Sequence, residues 1–153
     1  MDFYLLFVYV HVLAAIAWVG GALAINVLGT RVARSSDPDE LPNLGHQIEW
    51  LGLRYFLPIS IITFVAGVIL VTQRWSFSQP WISAAMLLWL VSVLLGALYI
   101  GPRSKKVAEM FESLGHTSPA ARAASARLFM VARLDLLIFL VIVGLMVWKP
   151  GAA

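Results

Sequence analysis

The chain has 153 residues, of which 61% are hydrophobic and only 12% are charged. A mean hydropathy of +0.87 is far above that of soluble domains, so the sequence predicts one compact integral membrane domain. The absence of cysteine excludes disulfides, iron–sulfur clusters, thiolate metal sites and covalent haem attachment through cysteine. The formal net charge of +3 could suggest a nucleic-acid partner, but the charges are arranged as in membrane topology signals, and we expect no nucleic-acid binding.

Four apolar stretches predict transmembrane helices over about residues 3–30, 52–73, 81–102 and 128–148. The first has no charged residue and is long enough to cross the roughly 30 Å hydrocarbon core of a bilayer. The second contains Pro58, which we expect to kink its helix. The fourth has only 13 uncharged residues, 136–148, where a span needs about 20, so Arg133 and Asp135 must lie at or below the headgroup level. We find no internal repeat.

The two connections 31–48 and 103–127 define the orientation. Nine of the 11 Lys and Arg residues lie in or beside them, and only Arg74 and Lys149 lie at the opposite end. The positive-inside rule therefore places both connections in the cytoplasm and both termini on the outer side of a bacterial inner membrane. A basic amphipathic helix should stop at Gly115, and Ser118-Pro119 should begin the last helix. The predicted fold is an all-α, antiparallel four-helix transmembrane bundle.

His11 and Trp18 lie seven residues apart in the first segment and therefore share one helical face. Small residues on this face, such as Ala14 and Gly21, would admit either a flat ligand or a second helix, for example in a homodimer. An imidazole inside a membrane needs a partner, and two interpretations remain open: a hydrogen bond across a helix interface, or ligation of haem iron. Met86 or Met146 could supply a second axial ligand, and a five-coordinate iron is equally compatible.

A second set of polar residues lies near the cytoplasmic ends of the helices: Asn26, Arg31, Glu49, Arg54, Arg133 and Asp135. Antiparallel geometry places Arg54 and Asp135 at similar depth, and we predict an ion pair between them, because an unpaired charge is costly in low dielectric. The cluster could be a latch between helices, an anion clamp for porphyrin carboxylates or lipid phosphates, or part of a proton path.

The third segment carries a stripe of Trp89, Ser92, Gly96 and Tyr99, whose spacing predicts helix packing. Trp75, Trp81 and Trp148 fall at the outer boundary and are expected to anchor the bundle at the lipid headgroups. No nucleophile–base pair, phosphate-binding loop or clustered metal site is evident in the sequence.

Several motifs together resemble a bacterial membrane family known as domain-of-unknown-function family 2269. They are the run from His11 to Gly21, the segment from Glu49 to Arg54 with Pro58, Gly101-Pro102, Arg133-Leu134-Asp135 and Lys149-Pro150-Gly151. The opening His-x6-Trp-x-Gly is also similar to the first helix of copper-resistance D-type proteins and HemJ-type protoporphyrinogen oxidases. The HemJ resemblance implies b-type haem with His11 as axial ligand. The Leu-Pro-Arg run that follows the tryptophan in that type has no counterpart at residues 22–26, and no Met-x-x-Met or His-rich copper cluster occurs.

The leading hypothesis is therefore a haem b-binding membrane protein with a redox or electron-transfer role and a membrane redox partner. In this hypothesis His11 is the metal ligand, Trp18 lines the pocket, and the protein could be a haem-dependent oxidoreductase. The alternative is a cofactor-free carrier or ion or proton conduit that uses the intramembrane Arg/Asp cluster. A third possibility is a structural subunit whose cytoplasmic helices contact another protein or anionic membrane lipid.

Overall fold

A computed structural model describes residues 3–151 of the chain and contains four long helices. They are α1 (Phe3–Val32), α2 (Glu40–Arg74), α3 (Pro80–Leu114) and α4 (Pro119–Trp148). Each helix is long and apolar enough to cross a membrane by length and composition. No strand occurs between residues 3 and 151, so the predicted all-α four-helix bundle is confirmed.

The second and third helices are longer than the sequence predicts. Within α2, the α-helices Glu40–Leu51 and Leu57–Arg74 are joined without a break by a π-helical turn over Gly52–Phe56. Within α3, the α-helices Pro80–Leu95 and Gly101–Leu114 are joined by a π turn over Gly96–Ile100. Each helix has 35 residues and is about 50 Å long, so both project well beyond a bilayer core. The predicted connections 31–48 and 103–127 are therefore mostly helical.

Successive helices run antiparallel and give the bundle two different ends. The end that we call the terminal end contains Phe3, the connection 75–79 and Trp148; there the Arg74 guanidinium lies 3.9 Å from the Tyr4 ring centroid and Lys149 Nζ lies 4.7 Å from that of Trp75. The other end, the basic end, contains the connections 33–39 and 115–118. The beginning of α1 and the end of α4 therefore lie at the same end of the bundle.

Close helix contacts depend on small residues. In the apolar region α1 packs against α2 and α4, and α4 packs against α3, whereas α2 and α3 touch little. A Cβ atom at Gly21 would lie 2.9 Å from the Tyr55 ring, and one at Gly29 would overlap the Phe129 ring. These glycines of α1 therefore serve contacts within the chain.

The basic end has its own hydrophobic core, formed by the helical extensions. It contains Leu41, Leu44, Ile48, Val107, Phe111, Ala121, Leu128 and Phe129. His46 Nε2 and Glu112 Oε1 join α2 to α3 across 2.9 Å at the surface of this core. Gly115, with φ of 85°, ends α3, and the Ser118 hydroxyl accepts a bond from Ala121 N–H at the start of α4. Both predicted helix boundaries are confirmed.

A second apolar cluster closes the terminal end. Val71, Trp81 and Ile82 form its centre, and Trp75, Met86, Leu145 and Met146 pack around them. Trp81 is only 5% exposed and so belongs to the interior instead of the predicted lipid boundary, whereas Trp148 is 82% exposed. The difference arises because Trp81 faces the neighbouring helices across the short 75–79 connection, where the Trp75 ring meets it edge-on at 5.3 Å.

A candidate ligand site inside the bundle

The two π turns have the same sequence pattern, Gly-x-x-Tyr-x-x-Pro, over residues 52–58 and 96–102. In each turn an N–H bonds five residues back, from Leu57 to the Gly52 carbonyl and from Gly101 to the Gly96 carbonyl. The proline that follows has no N–H, and a wider turn accommodates its ring without breaking the helix. Pro58 thus follows a π turn, and the helix continues through it. The expectation that the chain has no repeat was wrong for this short motif.

Beside the two π turns lies a cavity of about 490 Å³. Gly52 and Gly96 line it, and a Cβ atom at either position would meet no atom within 4 Å, so both glycines face open space. Along α3 the lining runs from Ser92 to Glu109, which corresponds to about 25 Å of helix. The cavity is therefore elongated along the bundle axis.

Aromatic side chains line the cavity toward the terminal end. Trp18 and Phe139 are its lining residues nearest the terminal end on α1 and α4, and their ring centroids are 4.5 Å apart. On the α2–α3 side, Trp89 stacks on Phe64 at 4.1 Å and donates its Nε1–H to the Ser60 carbonyl at 3.2 Å. These aromatic contacts form a floor below the cavity.

Charged residues surround the opening at the basic end. They are Glu49, Lys105, Lys106 and Glu109, and Lys105 Nζ lies 3.8 Å from Glu49 Oε1. A second opening lies between α2 and α3, where Leu53, 66% exposed, and the exposed Ala97 line the cavity. The cavity thus communicates both with the basic end and with the lipid-facing surface.

Asp135 lies in the cavity wall and is only 8% exposed. The Ser92 hydroxyl on α3 donates a hydrogen bond of 2.6 Å to Asp135 Oδ1. The predicted ion pair with Arg54 is not formed: the exposed Arg54 guanidinium lies 5.5 Å from the Trp50 ring centroid. The two residues do not meet because α2 and α4 make little direct contact in the bundle, so a similar depth along the two helices does not bring their side chains together.

Asn26 is the second polar residue in this wall. Its Nδ2 group donates to the Ala22 carbonyl at 2.9 Å and to the Ala132 carbonyl of α4 at 3.5 Å. Its Oδ1 atom is buried and has no hydrogen-bond partner among the described residues. Asn26 and Asp135 thus line one cavity, and within residues 3–151 the Asp135 carboxylate has one hydrogen-bond donor and no ion pair.

His11 lies outside this site. Its Nδ1 atom is 2.8 Å from the Thr63 carbonyl on α2, and its ring contacts the position where Gly67 lacks a Cβ. This is the hydrogen bond across a helix interface that was one of the two interpretations.

Of the residues predicted for a haem site, Trp18 lines the cavity, while Met86 and Met146 belong to the cluster around Trp81. No group of three His, Asp or Glu residues within 3–151 could hold a metal ion.

The sequence did not indicate that Ser60, Gly52 and Lys106 line the same cavity as Asp135. The signal that could have revealed it is the repeated Gly-x-x-Tyr-x-x-Pro pattern, because π turns are frequent at functional sites. Glu49 was predicted in a polar cluster and lies at the cavity opening. Arg133, predicted in the same cluster, does not line this cavity and donates to the Thr30 hydroxyl at 3.3 Å.

Comparison with known proteins gives a family and no individual relative. Residues 5–150 match the family model described as "Predicted integral membrane protein (DUF2269)". No curated protein and no solved structure matches the chain.

Proposed function

Because the chain belongs to this family of integral membrane proteins, we propose that it binds a lipophilic amine inside the bundle and acts as a small carrier for such molecules. The observation that carries the proposal is the buried Asp135 carboxylate in the cavity wall, which within residues 3–151 accepts from the Ser92 hydroxyl and has no cationic partner. An ammonium group would supply a further donor and the positive charge that this carboxylate lacks.

The chemistry of the wall favours an elongated apolar molecule with a cationic head. Ile25, Leu57, Val93 and Phe139 line the same cavity with hydrocarbon, which suits an alkyl or aryl tail. A charged residue inside a membrane helix is costly unless it faces a cavity or a partner, and a cationic ligand would be such a partner for Asp135. An anionic head would instead be repelled by the carboxylate.

The opening between α2 and α3 supports entry from the lipid. A lipophilic amine partitions into the bilayer, and the exposed Leu53 and Ala97 border its route to Asp135. The proposal favours a carrier over a continuous ion or proton conduit, since the rings of Trp18 and Phe139 lie between the cavity and the terminal end. Release toward the basic end would pass the opening, where two glutamates and two lysines balance in charge.

The test compares three ligands with the same chain in bilayer nanodiscs: radiolabelled dodecylamine, dodecanol and dodecyl sulfate. After the binding to empty nanodiscs is subtracted, we expect the protein to bind dodecylamine most, dodecanol less and dodecyl sulfate least. Asp135→Asn keeps an acceptor for Ser92 and should weaken amine binding about tenfold or more, because a charge-assisted hydrogen bond is lost, while alcohol binding changes little. Asp39→Asn, in the exposed connection before α2, is the matched control. Equal binding of amine and sulfate, or an Asp135→Asn protein that binds amine as wild type does, would overturn the proposal.

A second candidate function, redox or electron transfer through haem b at His11, is favoured by one observation. The hydrogen bond of His11 Nδ1 to a backbone carbonyl leaves Nε2 with a free lone pair, as in many metal-bound histidines. The His11 imidazole is the one feature that fits a haem. His11 lines neither of the two cavities described, and Met86 and Met146 lie in the apolar cluster around Trp81. Purified protein from haem-supplemented cells should then have a Soret band that His11→Ala abolishes without unfolding the protein. A wild-type protein that is colourless as purified and gives no shifted Soret band on hemin addition would exclude this candidate.

A further inference from the structure

A second, more open groove lies beside the contact of α1 with α4, near the basic end. It has a volume of about 390 Å³ and is lined by Asn26, Val27, Thr30, Arg31, Arg34 and Arg133. Three of the six lining residues are arginines and none is acidic. The groove therefore concentrates positive charge in a concave surface.

The three guanidinium groups come from separate parts of the chain. Arg31 lies in the last turn of α1, Arg34 lies in the turn that follows, and Arg133 lies on α4. Arg133 Nη2 donates to Thr30 Oγ1 at 3.3 Å, which orients its side chain toward the groove and toward the basic end. Between residues 3 and 151, none of the three arginines forms an ion pair with a carboxylate.

Apolar surface continues from the groove toward the terminal end. Leu23 lies one helical turn from Val27, and Leu137 lies one turn from Arg133; these two leucines are 52% and 56% exposed. Acyl chains lying along these two helices would place a headgroup at the level of the arginines. The combination of a cationic groove and adjacent exposed hydrocarbon matches the chemistry of a phospholipid.

We infer that this groove binds the phosphate group of an anionic phospholipid. Arginine suits the role because its planar fork donates paired hydrogen bonds to phosphate oxygens and is always charged. The inference does not rest on the proposed amine function, since it uses different residues and ligands of opposite charge. Asn26 is the single residue that lines both sites.

The experiment is native mass spectrometry of the full chain released from nanodiscs that contain equal amounts of phosphatidylglycerol and phosphatidylcholine. We expect phosphatidylglycerol to be enriched among the retained lipids. The groove variant Arg31→Gln/Arg34→Gln/Arg133→Gln should lose this preference, by about fivefold for each arginine removed. The control variant Arg103→Gln/Arg122→Gln/Arg127→Gln, with the same change of charge at exposed positions outside the groove, should keep it.

Two results would overturn the inference: equal loss of preference in both triple variants, or displacement of phosphatidylglycerol by excess inorganic phosphate, which would indicate a soluble phosphate ligand. Thermal unfolding of each variant checks that the bundle remains intact. If the groove variant does not fold, Arg34→Gln is compared with Arg127→Gln, because Arg34 lies outside the helix. An unchanged lipid preference in Arg34→Gln would then also count against the site.

Discussion

The Ser92 hydroxyl donates a 2.6 Å hydrogen bond to Asp135 Oδ1 and thereby links α3 to α4 at the cavity wall. Both residues are buried, with 2% and 8% exposure respectively. The Arg54 side chain lies outside the bundle over Trp50 and does not reach Asp135. Within residues 3–151, the carboxylate therefore accepts its side-chain hydrogen bond from Ser92. Ser92 therefore sets the position of the carboxylate in the cavity.

Removing this donor should destabilise the bundle. Ser92→Ala leaves a buried acceptor with no partner, and we expect the free energy of unfolding to fall by about 1–3 kcal/mol. Reversible unfolding in mixed micelles containing sodium dodecyl sulfate measures the change. Ser36→Ala, in the exposed connection 33–39, is the control and should be neutral. A Ser92→Ala protein as stable as wild type would show that this hydrogen bond contributes nothing to stability.

The contact between Gly29 and Phe129 predicts a strong position effect for alanine on α1. A Cβ atom at Gly29 would overlap the Phe129 ring, whereas a Cβ atom at Gly20 would meet no atom within 4 Å. We expect Gly29→Ala to lower the free energy of unfolding by about 1–3 kcal/mol through overpacking, and Gly20→Ala to be neutral or slightly stabilising. The same unfolding assay compares the two, and Phe129→Leu should partly rescue Gly29→Ala. Equal stability of the two alanine variants would contradict the observed α1–α4 contact.

Hydropathy and boundary residues were sufficient to predict the fold. An uncharged stretch such as residues 3–30 has few alternatives to a spanning helix, and Gly115 and Ser118 have local conformations that end and begin helices wherever they occur. The prediction that both termini lie at one end followed from an even number of spans.

The site was predicted less well, because depth along a helix does not determine which helices are neighbours. The predicted pair of Arg54 and Asp135 fails since α2 and α4 make little direct contact, and the Arg54 guanidinium lies over Trp50. Asp135 was predicted in a polar cluster and lies buried in the cavity wall, but its partner Ser92 was assigned only to helix packing. The cavity exists partly because Gly52 and Gly96 have no side chains to fill it, and a hydropathy profile does not detect such empty space.

The orientation in the membrane is testable because the chain has no cysteine. We predict from the distribution of Lys and Arg that the basic end faces the bacterial cytoplasm. Ser36→Cys marks the basic end and Ser78→Cys marks the terminal end, and both positions are exposed. In intact cells a membrane-impermeant maleimide should label the Ser78→Cys protein alone, and the Ser36→Cys protein should react only after the cells are permeabilised. The reverse labelling pattern would invert the topology.

Filling the cavity should separate ligand binding from stability. Gly52 and Gly96 face open space, so alanine and then leucine at these positions should occupy the volume that a ligand would use. Alanine also favours helix over glycine by roughly 0.5–1 kcal/mol, and we expect Gly52→Ala/Gly96→Ala to be at least as stable as wild type. Dodecylamine binding in nanodiscs should fall stepwise from glycine to alanine to leucine.

Gly20→Leu is the matched control for this series, because Gly20 also faces open space but does not line the cavity. It should bind dodecylamine as wild type does. If the leucine variants at Gly52 and Gly96 fold and retain full binding, the amine does not occupy the space beside the π turns. If instead Gly20→Leu loses binding equally, the loss is not caused by filling the space beside the π turns, because Gly20 does not line the cavity.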